Sequence, residues 1–183
     1  MNLRPRTQPP SPQPKVSTSA GISLPTSPPN LPVTSAPNYT LATSVGGSTL
    51  IGKSGKRNQL TADAANVTLV GGSGSDTFIV HDPSDVVIGN GGVDTIEAAG
   101  IRFTLPAGID NLYLLGSTNA TATGNSGNNI IVGNAGNDVI VSGGRNDILK
   151  AGTGSDTFVV TRRANTTTWI EGFKASGNRS PGR

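Results

Sequence analysis

The chain has 183 residues, 33% of them hydrophobic and 4% aromatic, with 25 glycines, 13 prolines and a formal charge of +3. One small domain is expected, too poor in apolar residues for an ordinary globular core yet adequate for a solenoid whose units each bury one side chain. With no cysteine and no long apolar run, a disulfide framework, a thiolate metal site and a membrane-spanning helix are excluded.

Residues 1–40 hold ten of the thirteen prolines and show no apolar periodicity, so a disordered or polyproline-like arm is expected there. The arm has no apolar stretch of the kind that marks a secretory signal peptide. Its only charges are Arg4, Arg6 and Lys15, and residues 41–183 balance at eleven basic against eleven acidic. The excess charge is therefore confined to the arm, and no nucleic-acid partner is expected.

Residues 41–70 read as a degenerate cap. GKSGKRNQL (52–60) has the outline of a repeat unit but carries Arg57 where an acid is expected, and Leu69 falls at an inward phase.

From residue 71 the pattern is regular. Nine-residue units begin at 71, 80, 89, 124, 133, 142 and 151. Their sixth position reads Asp76, Asp85, Asp94, Asn129, Asp138, Asp147 and Asp156, which takes six of the nine aspartates in the chain. The first half of each unit is a tight turn, with Gly71, Gly72, Gly74, Gly89, Gly92, Gly124, Gly127, Gly133, Gly136, Gly143, Gly152 and Gly154 shaping its backbone. The eighth position is Phe78, Val87, Ile96, Ile131, Ile140, Leu149 and Phe158, apolar throughout, which predicts a short strand with one inward side chain. Residues 98–123 lack the aspartate phase and are read as a metal-free spacer of a coil or two between repeats 71–97 and 124–159.

GGSGSDTFI (71–79), GNGGVDTIE (89–97), GNAGNDVIV (133–141) and AGTGSDTFV (151–159) resemble the RTX, or hemolysin-type, calcium-binding nonapeptide GGxGxDxUx. The resemblance covers roughly residues 45–173 and implies an all-β fold, a parallel β-roll (a two-sheet right-handed β-solenoid) in which two units make one coil. Residues 166–174, TTTWIEGFK, are similar to the strand that closes such rolls, so a closing strand is expected over 160–175, with Trp169, Ile170 and Phe173 covering the last coil and 176–183 as a tail.

Two units per coil bring Asp138 near Asp156, Asp76 near Asp94, and Asn129 near Asp147, about 4.8 Å apart. Two like charges at that spacing repel, and a cation between them reverses the sign. The available donors are hard oxygens, which suit Ca2+; zinc or copper would want His or Cys, and the chain has only His81. The resemblance implies Asp138 and Asp156, then Asp76 and Asp94, then Asn129 and Asp147 as ligands, with turn carbonyls completing the shell. Val80, His81 and Pro83 break the second unit, which makes Asp85 a surface carboxylate, and Arg145 replaces a glycine beside Asp147. The alternative role for each aspartate is an Asx-turn cap without an ion.

GSTLIGKS (47–54) formally matches a phosphate-binding loop, but neither the preceding buried strand nor the following helix is expected. One histidine excludes HExxH, no GxSxG occurs, and evenly repeating carboxylates do not converge on a cleft, so no enzyme is expected. The resemblance implies an extracellular, secreted bacterial protein and contact with type I secretion machinery, although NRSPGR at the end does not resemble the usual export signal. An adhesion or cell-surface contact module with purely structural calcium is the alternative. Oligomeric state is left open.

Overall fold

The computed structural model describes residues 16–18, 30–31, 38–100, 102–161 and 164–173. The expectation of a disordered arm over 1–40 therefore falls largely outside the described residues.

Seventeen strands are described, and no helix is found among the described residues. They begin with β1 (Val16–Thr18), β2 (Asn30–Leu31), β3 (Asn38–Thr43), β4 (Thr49–Ile51), β5 (Arg57–Ala62) and β6 (Thr68–Val70). The middle of the chain forms β7 (Thr77–Val80), β8 (Val86–Ile88), β9 (Thr95–Ala98), β10 (Arg102–Thr104), β11 (Asn111–Leu114) and β12 (Thr121–Thr123). The last are β13 (Ile130–Val132), β14 (Val139–Val141), β15 (Ile148–Lys150), β16 (Thr157–Val159) and β17 (Trp169–Glu171).

Odd-numbered strands form one nine-stranded sheet, and even-numbered strands form two four-stranded sheets that break between β8 and β10. All pairings are parallel except β1 with β3. Such alternation describes a β-solenoid: each coil contributes one strand to either sheet, and the turns between them stack in two columns.

The inward position is what the nonapeptide pattern assigns. Phe78, Ile96, Ile131, Ile140, Leu149 and Phe158 are fully buried and Val87 nearly so, and they stack in register: Leu60 under Phe78 under Ile96 on one sheet, Ile140 under Phe158 on the other. One apolar column per sheet fills the space between them, which is how a chain one-third apolar builds a continuous core.

The spiral runs through residues 98–123 as one coil, since β11 pairs with both β9 and β13. It also extends upstream of the recognisable repeats, where Tyr39, Leu41, Leu50 and Leu60 are buried on β3, β4 and β5. At the other end the expected cover is only partly made. Ile170 packs on the core, and Phe173 lies 6.4 Å from the Phe158 ring, but Trp169 is 68% exposed. Alternation along β17 explains this correction: with Ile170 inward, its neighbour Trp169 must face out.

Candidate metal centre

The turns from even to odd strands form one column (52–58, 71–76, 89–94, 105–110, 124–129, 142–147), and the turns from odd to even strands form the other (81–85, 115–120, 133–138, 151–156). Each position-six aspartate reaches back one coil to a backbone amide. Asp138 N donates to Asp156 Oδ1 at 2.8 Å, Asp76 N to Asp94 Oδ1 at 2.8 Å, and Asn129 N to Asp147 Oδ1 at 2.9 Å. Asn58 N donates to Asp76 Oδ1 and Ala120 N to Asp138 Oδ1, both at 2.8 Å.

Thus all six expected residues lie in these columns, in the three expected pairs, and all six are buried. The linking contact runs from carboxylate to amide, so each aspartate replaces a ladder hydrogen bond where the strand ends.

Several members of the columns lie outside the six expected residues. Asp94 N donates to Asp110 Oδ2 at 2.8 Å, sixteen residues on, so Asp110 continues the ladder through the spacer coil. The signal is present as GIDNL (108–112), displaced by two residues because this coil is short. Upstream, buried Asn58 and not exposed Arg57 holds the ladder place, and its Oδ1 accepts from Lys53 N at 2.9 Å across a turn one residue longer. Asp85 is half-buried and still accepts from Val67 N at 2.9 Å despite Pro83. Position five, free in the sequence pattern, carries a second ladder: Ser155 N donates to Asn137 Oδ1 at 2.7 Å, and Asn137 N to Asn119 Oδ1 at 2.8 Å.

In the turns of Asp76 and Asp138, position one is glycine for a local reason. A Cβ on Gly71 would stand 2.3 Å from Asp76 Oδ2, and one on Gly133 would stand 2.8 Å from Asp138 Oδ2. The carboxylate occupies the side-chain space of that residue.

The second side-chain oxygen divides the turns into two kinds. In three of them the position-two amide closes on the position-six side chain: Gly72 N to Asp76 Oδ2 at 2.7 Å, Asn134 N to Asp138 Oδ2 at 2.8 Å, and Asn125 N to Asn129 Oδ1 at 2.9 Å. In the turns of Asp94 and Asp147, position two takes a left-handed conformation (Asn90 φ 74°, Gly143 φ 85°), and Oδ2 is buried with no hydrogen-bond donor. Gly152, in the turn of Asp156, has the same hand with φ 87°. Burial pushes the Asp94 carboxyl up to about 6, against the pull of the Asp76 amide and assisted by repulsion from Asp76 and Asp110. Burial likewise raises Asp147 and Asp156.

A buried carboxylate oxygen without a donor is costly to keep ionised unless a cation compensates it. No group of three or more His, Cys, Asp or Glu converges among the described residues, so a metal here must draw on main-chain oxygens as well. Carbonyls of one turn do lie close against the next: a Cβ on Gly92 would lie 2.4 Å from Gly74 O, and one on Gly154 would lie 2.2 Å from Gly136 O. Carboxylate plus carbonyl is an all-oxygen donor set that fits calcium. By contrast, the phosphate-loop match at 47–54 falls on β4 and a turn, and no helix follows it among the described residues.

Comparison with curated proteins and with solved structures returns no match. The family model described as the RTX calcium-binding nonapeptide repeat matches in four copies, over residues 49–81, 84–100, 116–144 and 123–158. These matches begin at β4 and end at β16, so they coincide with the stacked coils. The chain belongs to the RTX calcium-binding nonapeptide repeat family, a structural module whose repeats imply calcium binding within a β-roll.

Proposed function

We propose that this chain is a calcium-dependent folding module of a secreted bacterial protein, without catalytic activity of its own. The observation that carries the reading is the buried carboxylate oxygen of Asp94, Oδ2, that no protein donor meets. Asp76 with Asp94, Asn129 with Asp147, and Asp138 with Asp156 would hold the ions together with turn carbonyls. The bound ion supplies the positive charge that lets buried carboxylates remain ionised, and folding and binding are then linked. Extracellular calcium modules bind with dissociation constants of about 0.1–1 mM, and with such an affinity this module would stay loose in the cytoplasm and fold outside the cell.

The outward face gives adhesion no support. Its column in register runs Gln59, Thr77, Thr95, Asn111, Ile130, Ile148 and Trp169, too mixed for a repetitive ligand.

The test is far-ultraviolet circular dichroism in chelator, then in millimolar calcium, then after chelation again. The expected result is a reversible gain of β signal with calcium. A spectrum that is β-rich in chelator and indifferent to calcium defeats the switch.

A further inference from the structure

Two asparagines set the spacer coil apart from the turns on either side. Asn125 sends its side chain back one coil, where Nδ2 donates to Pro106 O and to Ile109 O, both at 2.7 Å, while Oδ1 accepts from Gly127 N at 2.7 Å. Asn134 repeats this on the other edge: Nδ2 donates to Leu115 O at 3.2 Å and Thr118 O at 3.0 Å, and Oδ1 accepts from Gly136 N at 2.6 Å. An amide nitrogen has two hydrogens, and here both are spent on main-chain carbonyls of the neighbouring turn. Those are the kind of oxygens a hard cation would attract.

One of the two spacer turns also lacks an acid: turn 115–120 puts Ala120 where a carboxylate would stand, whereas turn 105–110 keeps Asp110. In the slot beneath Asn125, Asn129 Nδ2 adds donations to Ile109 O at 3.1 Å and Asp110 O at 3.2 Å. No such plug is built one coil later, where position two is Gly143 or Gly152 in left-handed conformation, nor at Asn90, whose φ of 74° belongs to the same class.

We propose that the side-chain amides of Asn125 and Asn134 are built-in substitutes for calcium, which join the spacer coil to the second repeat block without metal and exclude ions from those two slots. The metal is then confined to slots without such a plug, among them those between turns 71–76 and 89–94, 124–129 and 142–147, and 133–138 and 151–156. This rests on the calcium reading above and adds the placement of the ions. On this view a slot is ion-free where a position-two asparagine sends its amide back one coil, as Asn125 and Asn134 do, and not where position two is left-handed, as at Asn90, Gly143 and Gly152.

The test uses the full chain and its Asn134→Asp variant, which keeps side-chain size but turns the donating group into a second carboxylate oxygen facing two carbonyls. Bound calcium is counted by isothermal titration and native mass spectrometry, and melting is followed in chelator. Asn134→Asp is expected to melt lower in chelator, recover in calcium and bind one ion more than wild type, and Asn134→Gly should gain the same ion through the freed carbonyls. An unchanged count in both variants, or failure of both to fold at saturating calcium, overturns the substitution while leaving calcium binding intact. A wild-type count of zero overturns the calcium reading itself, and the substitution with it.

Discussion

A single atom decides much at the residue scale. Gly152 sits at φ 87°, and a Cβ there would lie 2.0 Å from Asn134 O in the turn below, so Gly152→Ala meets both a strained backbone and a collision. A loss of about 2–4 kcal/mol is expected in calcium. Gly47 also has positive φ, 75°, but a Cβ would find nothing within 4 Å, so Gly47→Ala should lose only about 1 kcal/mol. Thermal melts of the two variants separate stacking from backbone strain; equal losses would contradict the close approach of the turns. The repeat makes the glycines legible as turn residues, but it does not show which of them faces a neighbouring coil. That distinction needs the neighbour.

Among the elements, the spacer coil is where pattern and structure part. It is sixteen residues long between β9 and β11, against eighteen between β7 and β9, and the shortening moves Asp110 off the nonapeptide phase while leaving its hydrogen bond to Asp94 N. Asp110→Ala is therefore expected to cost about 1–2 kcal/mol by orphaning that amide. Asp63→Ala, whose side chain is about half exposed beside His81, should cost under about 0.5 kcal/mol. Chemical denaturation of the two variants checks the difference, and equal midpoints would remove Asp110 from the ladder. Asn58 is a different case: it stands eighteen residues before Asp76, on the period, and was missed because reading GKSGKRNQL from residue 52 starts the unit one residue early and puts Arg57 in its place. The six residues on phase were found because their coils keep the period; Asp110 was missed because hydrogen bonding tolerates a length change that counting does not.

For the whole molecule, the stack of buried carboxylates sets the response to pH. Asp94 has its folded-state pKa raised from 3.8 to about 6, so the proton binds the folded state more tightly than the unfolded one. In chelator its contribution to stability is fully present below about pH 4 and is lost as pH rises through about 6; Asp147 and Asp156, also raised, act in the same sense. The melting temperature of the metal-free protein is expected to fall across that window. Calcium competes with the proton for these oxygens, so the stabilisation it adds should grow over the same range. Calorimetry between pH 4 and 8, with and without calcium, reads both trends, and a metal-free melting temperature that rises with pH would show that the carboxylates are not held in a desolvated state.

Short-range regularity was enough to determine the turn, the short strand and the identity of the inward column, because a period of nine with one aspartate and one apolar residue has few ways to bury the second and turn at the first, and the resemblance of the repeat to a known family supplied the two-sheet solenoid. Which oxygen of each aspartate meets an amide, that Asn125 and Asn134 reach back across a coil, that Asp110 joins the column, and that Trp169 faces solvent were decided only by stacking. Those outcomes depend on the backbone of a turn eighteen or so residues away, whose distance in space is set by the coil and not by the repeat unit.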